Sequence, residues 1–201
     1  RCINGLIPRS YKGEMSGKIL VFGEEVQDWK LSQISQKIGT VLQDPERQIL
    51  GTKVVNEVAF GLENLGMPRE EIYSRVDEAL NFLKIPHLRD RETFNLSGGE
   101  KQKVALAGVL AMQPSILVAD ELINSLDPWA RQQIFTILDR LVKSGKTVML
   151  ATHDMDVAFG WADRVVWMNE GKVYFDGSAV EAQLLFESEN PAFAGHVPPR
   201  F

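Results

Sequence analysis

Residues 116–119, Ile-Leu-Val-Ala, form a continuous apolar run closed by two adjacent carboxylates, Asp120 and Glu121. Such a run predicts a strand covered on both faces, which in turn demands packed layers around a sheet. In an open α/β sheet, ligands collect beyond the carboxyl ends of the strands. One acid at such an end can hold Mg²⁺, usually through water, and its neighbour can polarise an attacking water. Taken alone, the two acids can also be read as a solvated strand end before a turn.

The residues before this run sharpen the reading. Ser97 opens a helix, and Glu100, three residues on, completes a capping-box pattern. Between them Gly98 and Gly99 leave the backbone bare, so an anion can reach the unpaired N–H groups and the positive end of the dipole. By itself this is also the pattern of a well-capped helix with no ligand.

Elsewhere the patterns alternate. Residues 18–22 and 24–26 flank Gly23 as a short hairpin. Residues 31–37 are polar and read as helix or loop, and 38–42 as a buried strand that delivers Gln43 at its end. From about 52 to 94 the period is helical: Val54, Val58 and Leu62 share one face, Pro68 suits a first helical turn, and Ile72, Val76, Ala79, Leu80 and Leu83 form an apolar stripe opposite Glu71, Arg75 and Glu78. His87 falls in a short linker as a surface residue. A helix is expected over 130–141, a buried strand over 147–151, a hairpin around Asn169-Glu170-Gly171 and a last helix from Ser178, with Glu181 as its capping partner. Residues 1–7 read as a helix remnant stopped by Pro8, and 187–201 as a tail or linker. Strand and helix in alternation, with a helical insertion, give an α/β layered fold.

Composition narrows the class. A chain of 201 residues suffices for one domain with a core, and its net charge of −5 gives no electrostatic case for nucleic acid as main partner. The single cysteine excludes an internal disulfide, and no apolar run is long enough to cross a bilayer. The expected location is the cytoplasm, with any membrane link made through a partner.

Together the segments resemble the ATP-binding-cassette (ABC) ATPases. Leu96-Ser97-Gly98-Gly99-Glu100 resembles that family's signature loop, Leu117-Val118-Ala119-Asp120-Glu121 its Walker B strand, and Ser125-Leu126-Asp127 its D-loop. Gln43 falls where the Q-loop glutamine is expected, and His153, in Ala151-Thr152-His153-Asp154, where the switch histidine is expected. The resemblance covers the chain to about residue 188 and implies a P-loop NTPase-type layered sheet with an inserted α-helical subdomain, about 50–95, and a small β-hairpin element, followed by a tail over 189–201. Gln43-Asp44-Pro45-Glu46-Arg47-Gln48 and Val58-Ala59-Phe60-Gly61-Leu62-Glu63-Asn64-Leu65-Gly66 look like the energy-coupling-factor and cobalt/nickel importer branch.

The family's P-loop, Gly-x-x-x-x-Gly-Lys-Ser/Thr, occurs nowhere in the 201 residues. The opening Arg1-Cys2-Ile3-Asn4-Gly5-Leu6-Ile7-Pro8 resembles the end of the helix after a P-loop, so the expectation is an N-terminally truncated ABC domain, inactive alone.

The resemblance further implies ATP and Mg²⁺ as ligands and a head-to-tail pair with a second ABC domain, itself or a paralogue. A transmembrane transport subunit would dock on the helical subdomain. Asp120 and Gln43 would hold Mg²⁺, Glu121 would polarise water, and His153 would steady the γ-phosphate. Ser97, Gly98, Gly99 and Glu100 would grip nucleotide bound mainly by the partner domain, and Asp127 would couple the two sites. Two departures bear on this. Leu122-Ile123-Asn124 stands where a proline usually follows the glutamate, which predicts a looser turn at Glu121. Ala119 replaces a larger aliphatic residue, which predicts a less tightly packed strand end. The alternatives are a soluble ABC ATPase acting on ribosomes or DNA, and a non-catalytic half lending its signature loop to a partner.

Overall fold

The computed structural model describes residues 2–123, 126–190, 195 and 198. They fall into two compact units, residues 1–151 and 152–201.

In the first unit, β1 (Leu20–Val21) and β2 (Glu24–Glu25) pair antiparallel. Phe22 and Gly23 turn the chain at φ 54° and 83°, the left-handed conformation that a two-residue hairpin loop requires. Next come α2 (Leu31–Lys37) and β3 (Ile38–Val41). Three helices follow, α3 (Val54–Asn64), α4 (Arg69–Phe82) and α5 (Gly98–Ala111). The unit closes with β4 (Ile116–Asp120), α6 (Pro128–Lys143) and β5 (Thr147–Ala151).

The sheet runs β3-β4-β5, all parallel, with Val41 opposite Ala119 and Asp120 opposite Ala151. Parallel pairing brings the three carboxyl ends to one edge, which is what assembles the site.

The helical stripes pack as their period predicts. Val54, Val58 and Leu62 of α3 are fully buried, as are Val76 and Leu80 of α4 and Val104, Leu106 and Ala107 of α5. The α4 face carrying Arg75 and Glu71 is turned to solvent and carries their ion pair at 2.7 Å. Pro68 sits one residue before α4, at its N-cap. His87 is exposed.

Three expectations need correction. The β4 strand is sealed on one face only: Leu117 and Ala119 are buried, whereas Ile116 and Val118 are half-buried against a smaller cluster of Val21, Val26, Trp29, Ile34 and Ile38. The β5 strand is exposed or half-buried throughout, with Met149 at 45%. It is the edge strand of its sheet, and an apolar run reads the same at an edge as at the centre. At the N-terminus, residues 2–5 form a turn with Gly5 N–H on Cys2 O at 3.0 Å, and α1 (Leu6–Arg9) continues through Pro8. It is broken at Ile7 (φ −104°, ψ 130°), before a cis Ile7–Pro8 bond. The proline ring crowds the preceding residue out of helical geometry, so the break falls at Ile7 and not after it.

In the second unit, α7 (Met155–Trp161) precedes an antiparallel hairpin, β6 (Arg164–Asn169) and β7 (Lys172–Ser178), and α8 (Ala179–Glu189) follows. Glu170 and Gly171 make the turn at φ 47° and 75°. Arg164 grips Asp176 across the strands with bonds of 2.6 and 2.7 Å, and Trp167 packs on Tyr174 and Phe186. Ser178 and Glu181 form the expected capping box, and α8 carries the helix through 187–189, into the expected tail. Residues 191–194, 196–197 and 199–201 of that tail lie outside the described residues. Among the described residues no helix is long and apolar enough to cross a membrane.

Candidate nucleotide site

Asp120 is the last residue of β4 and is exposed at the shared carboxyl edge of the sheet. Glu121 follows at φ 47°, with its N–H on Ala151 O at 2.9 Å. That bond continues the β4–β5 pairing one residue past the strand. Gln43, two residues beyond β3, donates from Nε2 to Glu121 Oε2 at 2.7 Å. Strand order thus brings Gln43 to the same edge as the adjacent pair Asp120 and Glu121, which is distant from it in sequence.

The turn after Glu121 is not loose. Leu122 and Ile123 are each 1% exposed, so their side chains anchor it where a proline was expected to stiffen it. Ala119 is likewise fully buried, and the strand end is packed despite the small side chain. Asn124 and Ser125, part of the expected turn and D-loop, lie outside the described residues.

At the start of α5 the capping box is complete. Glu100 N–H donates to Ser97 Oγ at 3.3 Å, while Ser97 N–H and its hydroxyl each donate to Glu100 Oε2 at 2.8 Å. The backbone N–H and then the hydroxyl of Ser97 hold the Glu100 carboxyl below its usual range, with Arg91 adding a smaller pull. A Cβ built on Gly98 would meet nothing within 4 Å, and one on Gly99 would touch Ala130 Cβ at 3.6 Å. The Gly98 backbone is therefore open to an approaching anion, and the first turn of α5 lies against the first turn of α6.

Asp127 caps that second turn, accepting from Trp129 and Ala130 N–H at 3.0 and 2.9 Å, with Pro128 at the first helical position. This capping role was not read from the sequence, although Asp-Pro before a helix is its signature. On α5, burial lowers the Lys103 pKa; its ammonium lies against Gln133 and 5.7 Å from the Trp129 ring centroid. His153 stands in the second unit, exposed, just ahead of Asp154, which caps α7 through Val157 N–H at 3.3 Å.

Sequence reasoning also missed the residues that hold the segment after Gln43. Glu57, 7% exposed on the first turn of α3, accepts from Leu50 and Gly51 N–H at 2.7 Å each. The Thr93 hydroxyl donates to Gly51 O at 2.7 Å. A Cβ on Gly51 would come within 2.6 Å of Glu57 N, so glycine alone permits this close approach. A carboxylate one residue from Val58, inside a buried stripe, was the available signal for Glu57.

The oxygen-rich strand end suits a hard cation. Mg²⁺ is commonly held by one or two carboxylates together with substrate phosphates, and no cluster of three or more His, Cys, Asp or Glu occurs among the described residues. Asp120 and the Gln43 side-chain oxygen are the protein groups that fit such a partial shell, and the open Gly98 backbone fits a phosphate.

The family model described as ABC transporter matches residues 2–124. The chain belongs to the ABC transporter family. It is 42% identical over 175 residues to the energy-coupling factor transporter ATP-binding protein EcfA of Carboxydothermus hydrogenoformans, covering 87% of this chain and 63% of that one. Among solved structures it resembles cbiO1 from Clostridium perfringens, part of the ABC transporter complex cbiONQ, with TM-score 0.80 and 34% identity over 96% of this chain and 76% of that one. It also resembles a dimeric ATP-binding cassette in a post-hydrolysis state bound to ADP and Pi, with TM-score 0.70 and 26% identity over 82% of this chain and 74% of that one. The ABC chain spans about a third of the length of the first curated relatives it matches.

Proposed function

We propose that this ABC chain is part of the ATP-hydrolysing subunit of a membrane importer for a vitamin or a transition-metal ion such as cobalt or nickel. The observation that carries the reading is the Gln43–Glu121 contact of 2.7 Å beside Asp120 at the carboxyl edge of the sheet. It ties the carboxylate able to orient water to the glutamine that would share a cation with Asp120. The similarity to EcfA and cbiO1 supports the importer branch.

In this reading ATP is the substrate. Asp120 and Gln43 hold Mg²⁺, which when bound neutralises phosphate charge. Glu121 orients and polarises the attacking water, a contribution typically worth roughly 10²- to 10⁴-fold in rate. His153 donates to the γ-phosphate side. Ser97, Gly98, Gly99 and Glu100 present the α5 N-terminus to nucleotide bound mainly by a second ABC domain in a head-to-tail pair, and Asp127 couples the two sites. Likeness to a dimeric cassette supports the pairing. A transmembrane subunit docks on α3 and α4, which keeps the assembly peripheral on the inner membrane face.

The 201 residues contain no P-loop string, so we expect this chain alone to hydrolyse no ATP above background. In the whole protein, Glu121→Gln should abolish turnover while leaving ATP binding intact, read by phosphate release and nucleotide titration. Wild-type turnover in that variant refutes the role given to Glu121. Co-purification with ribosomes instead of a membrane component refutes the importer reading.

A further inference from the structure

We infer that Gln48 is a positioning residue that ties the segment bearing Gln43 to the helix bearing the signature glycines. The inference rests on the reading above and adds a residue to it.

The geometry is that of a two-sided clasp. Leu42 N–H, next to Gln43, donates to Gln48 Oε1 at 2.9 Å. The other end of the same amide, Nε2, donates to Ala105 O inside α5 at 3.4 Å. One carboxamide thus spans from the exit of β3 to α5, using the donor and the acceptor that a primary amide carries on a single carbon. Between the two glutamines, Asp44 caps a short 3-10 turn, Pro45–Arg47, through Glu46 N–H at 3.0 Å. From that turn Glu46 reaches Lys101 on the first turn of α5, at 2.5 Å. The segment therefore has two ties to α5, one beside the signature glycines and one further along the helix.

Gln43 sits at the root of this clasp and touches Glu121 at 2.7 Å. A displacement of Gln43 toward or away from Glu121 is carried by the clasp into α5 and so to Ser97, Gly98 and Gly99. Gln48 touches neither substrate nor reacting atoms in this arrangement. Its effect passes through Gln43.

The test is steady-state ATP hydrolysis by the whole protein in its membrane complex, with wild type, Gln48→Met, Gln48→Glu and Glu121→Gln compared per folded molecule. Methionine keeps the length and loses both hydrogen bonds, whereas glutamate keeps an oxygen for Leu42 N–H and loses the donor to Ala105. We expect kcat to fall about tenfold in Gln48→Met with KM for ATP within about twofold, the signature of lost positioning and not of lost binding, and Gln48→Glu to be intermediate. A purely structural role would lower the melting temperature and leave kcat per folded molecule unchanged, and that result overturns the inference. If Gln48→Met does not fold, the double variant Gln48→Glu with Lys101→Met takes its place, and wild-type kcat there overturns it too. Glu121→Gln separates the two levels. If it is inactive while the Gln48 variants turn over normally, only the clasp fails; if it is active, the functional reading fails and the clasp with it.

Discussion

Replacing Glu57 by leucine should destabilise the first unit by about 3 kcal/mol. The carboxylate is 7% exposed and a single oxygen takes both the Leu50 and Gly51 N–H groups at 2.7 Å. Hydrogen bonds to a charged group contribute about 1.5–3 kcal/mol each, so the gross loss is about 3–6 kcal/mol. Leu50 is 69% exposed as a residue, so water can recover part of its amide's loss, which brings the figure to the lower end. Glu57→Gln retains a neutral acceptor of the same shape and should cost about 1.5 kcal/mol, because charge assistance roughly doubles such bonds. For a chain of this size about 3 kcal/mol corresponds to a melting-temperature drop of about 6–12 °C. Urea unfolding measures the loss, and amide exchange at Leu50 and Gly51 localises it. A leucine variant within 0.5 kcal/mol of wild type, or a glutamine variant as unstable as leucine, would refute the assignment of this energy to the two backbone bonds.

Two further outcomes follow from local geometry. Gly39 of β3 is buried, and a Cβ there would lie 2.4 Å from Val109 Cγ1 and 2.8 Å from Pro114 Cγ; Gly39→Ala should cost about 1–3 kcal/mol by overpacking, measured by urea unfolding. The Glu100 carboxyl, lowered first by the Ser97 N–H and then by its hydroxyl, contributes stability that is full above the unfolded carboxylate pKa, roughly 4.3, and is lost as pH falls through the folded value. Wild type should therefore exceed Glu100→Gln by about 0.5–1 kcal/mol near neutrality and converge with it in acid, as followed by denaturation against pH.

What could be read from the chain beforehand was whatever local periodicity and capping chemistry decide. Val54, Val58 and Leu62 announce α3 because one face of a helix repeats every three to four residues, and all three are fully buried. Ser97 with Glu100 and Ser178 with Glu181 announce helix starts because each pair closes a local ring of bonds. What could not be read depends on which strand lies beside which. The apolar residues 147–151 look like a core strand, yet the sheet order leaves β5 at an edge. The clasp of Gln48 on Leu42 and Ala105 is similarly invisible, because a glutamine side chain declares no partner until the fold brings one within reach.

The turn at Glu121 shows how such hidden packing sets the position of a side chain. A non-glycine residue in the left-handed region costs of order 1–3 kcal/mol, and Glu121 adopts φ 47°. The residue after it is leucine where a proline was expected to restrain the chain, so the restraint must come from elsewhere. Burying Leu122 and Ile123, each 1% exposed, contributes about 1.5–3 kcal/mol apiece, and the bond from Glu121 N–H to Ala151 O adds about 1 kcal/mol. The sum exceeds the strain, so the carboxylate is held at the sheet edge by the core beneath it and not by the stiffness of its own backbone. In the proposed reading, loosening the core under Leu122 or Ile123 would displace Glu121 from Gln43 without altering either side chain.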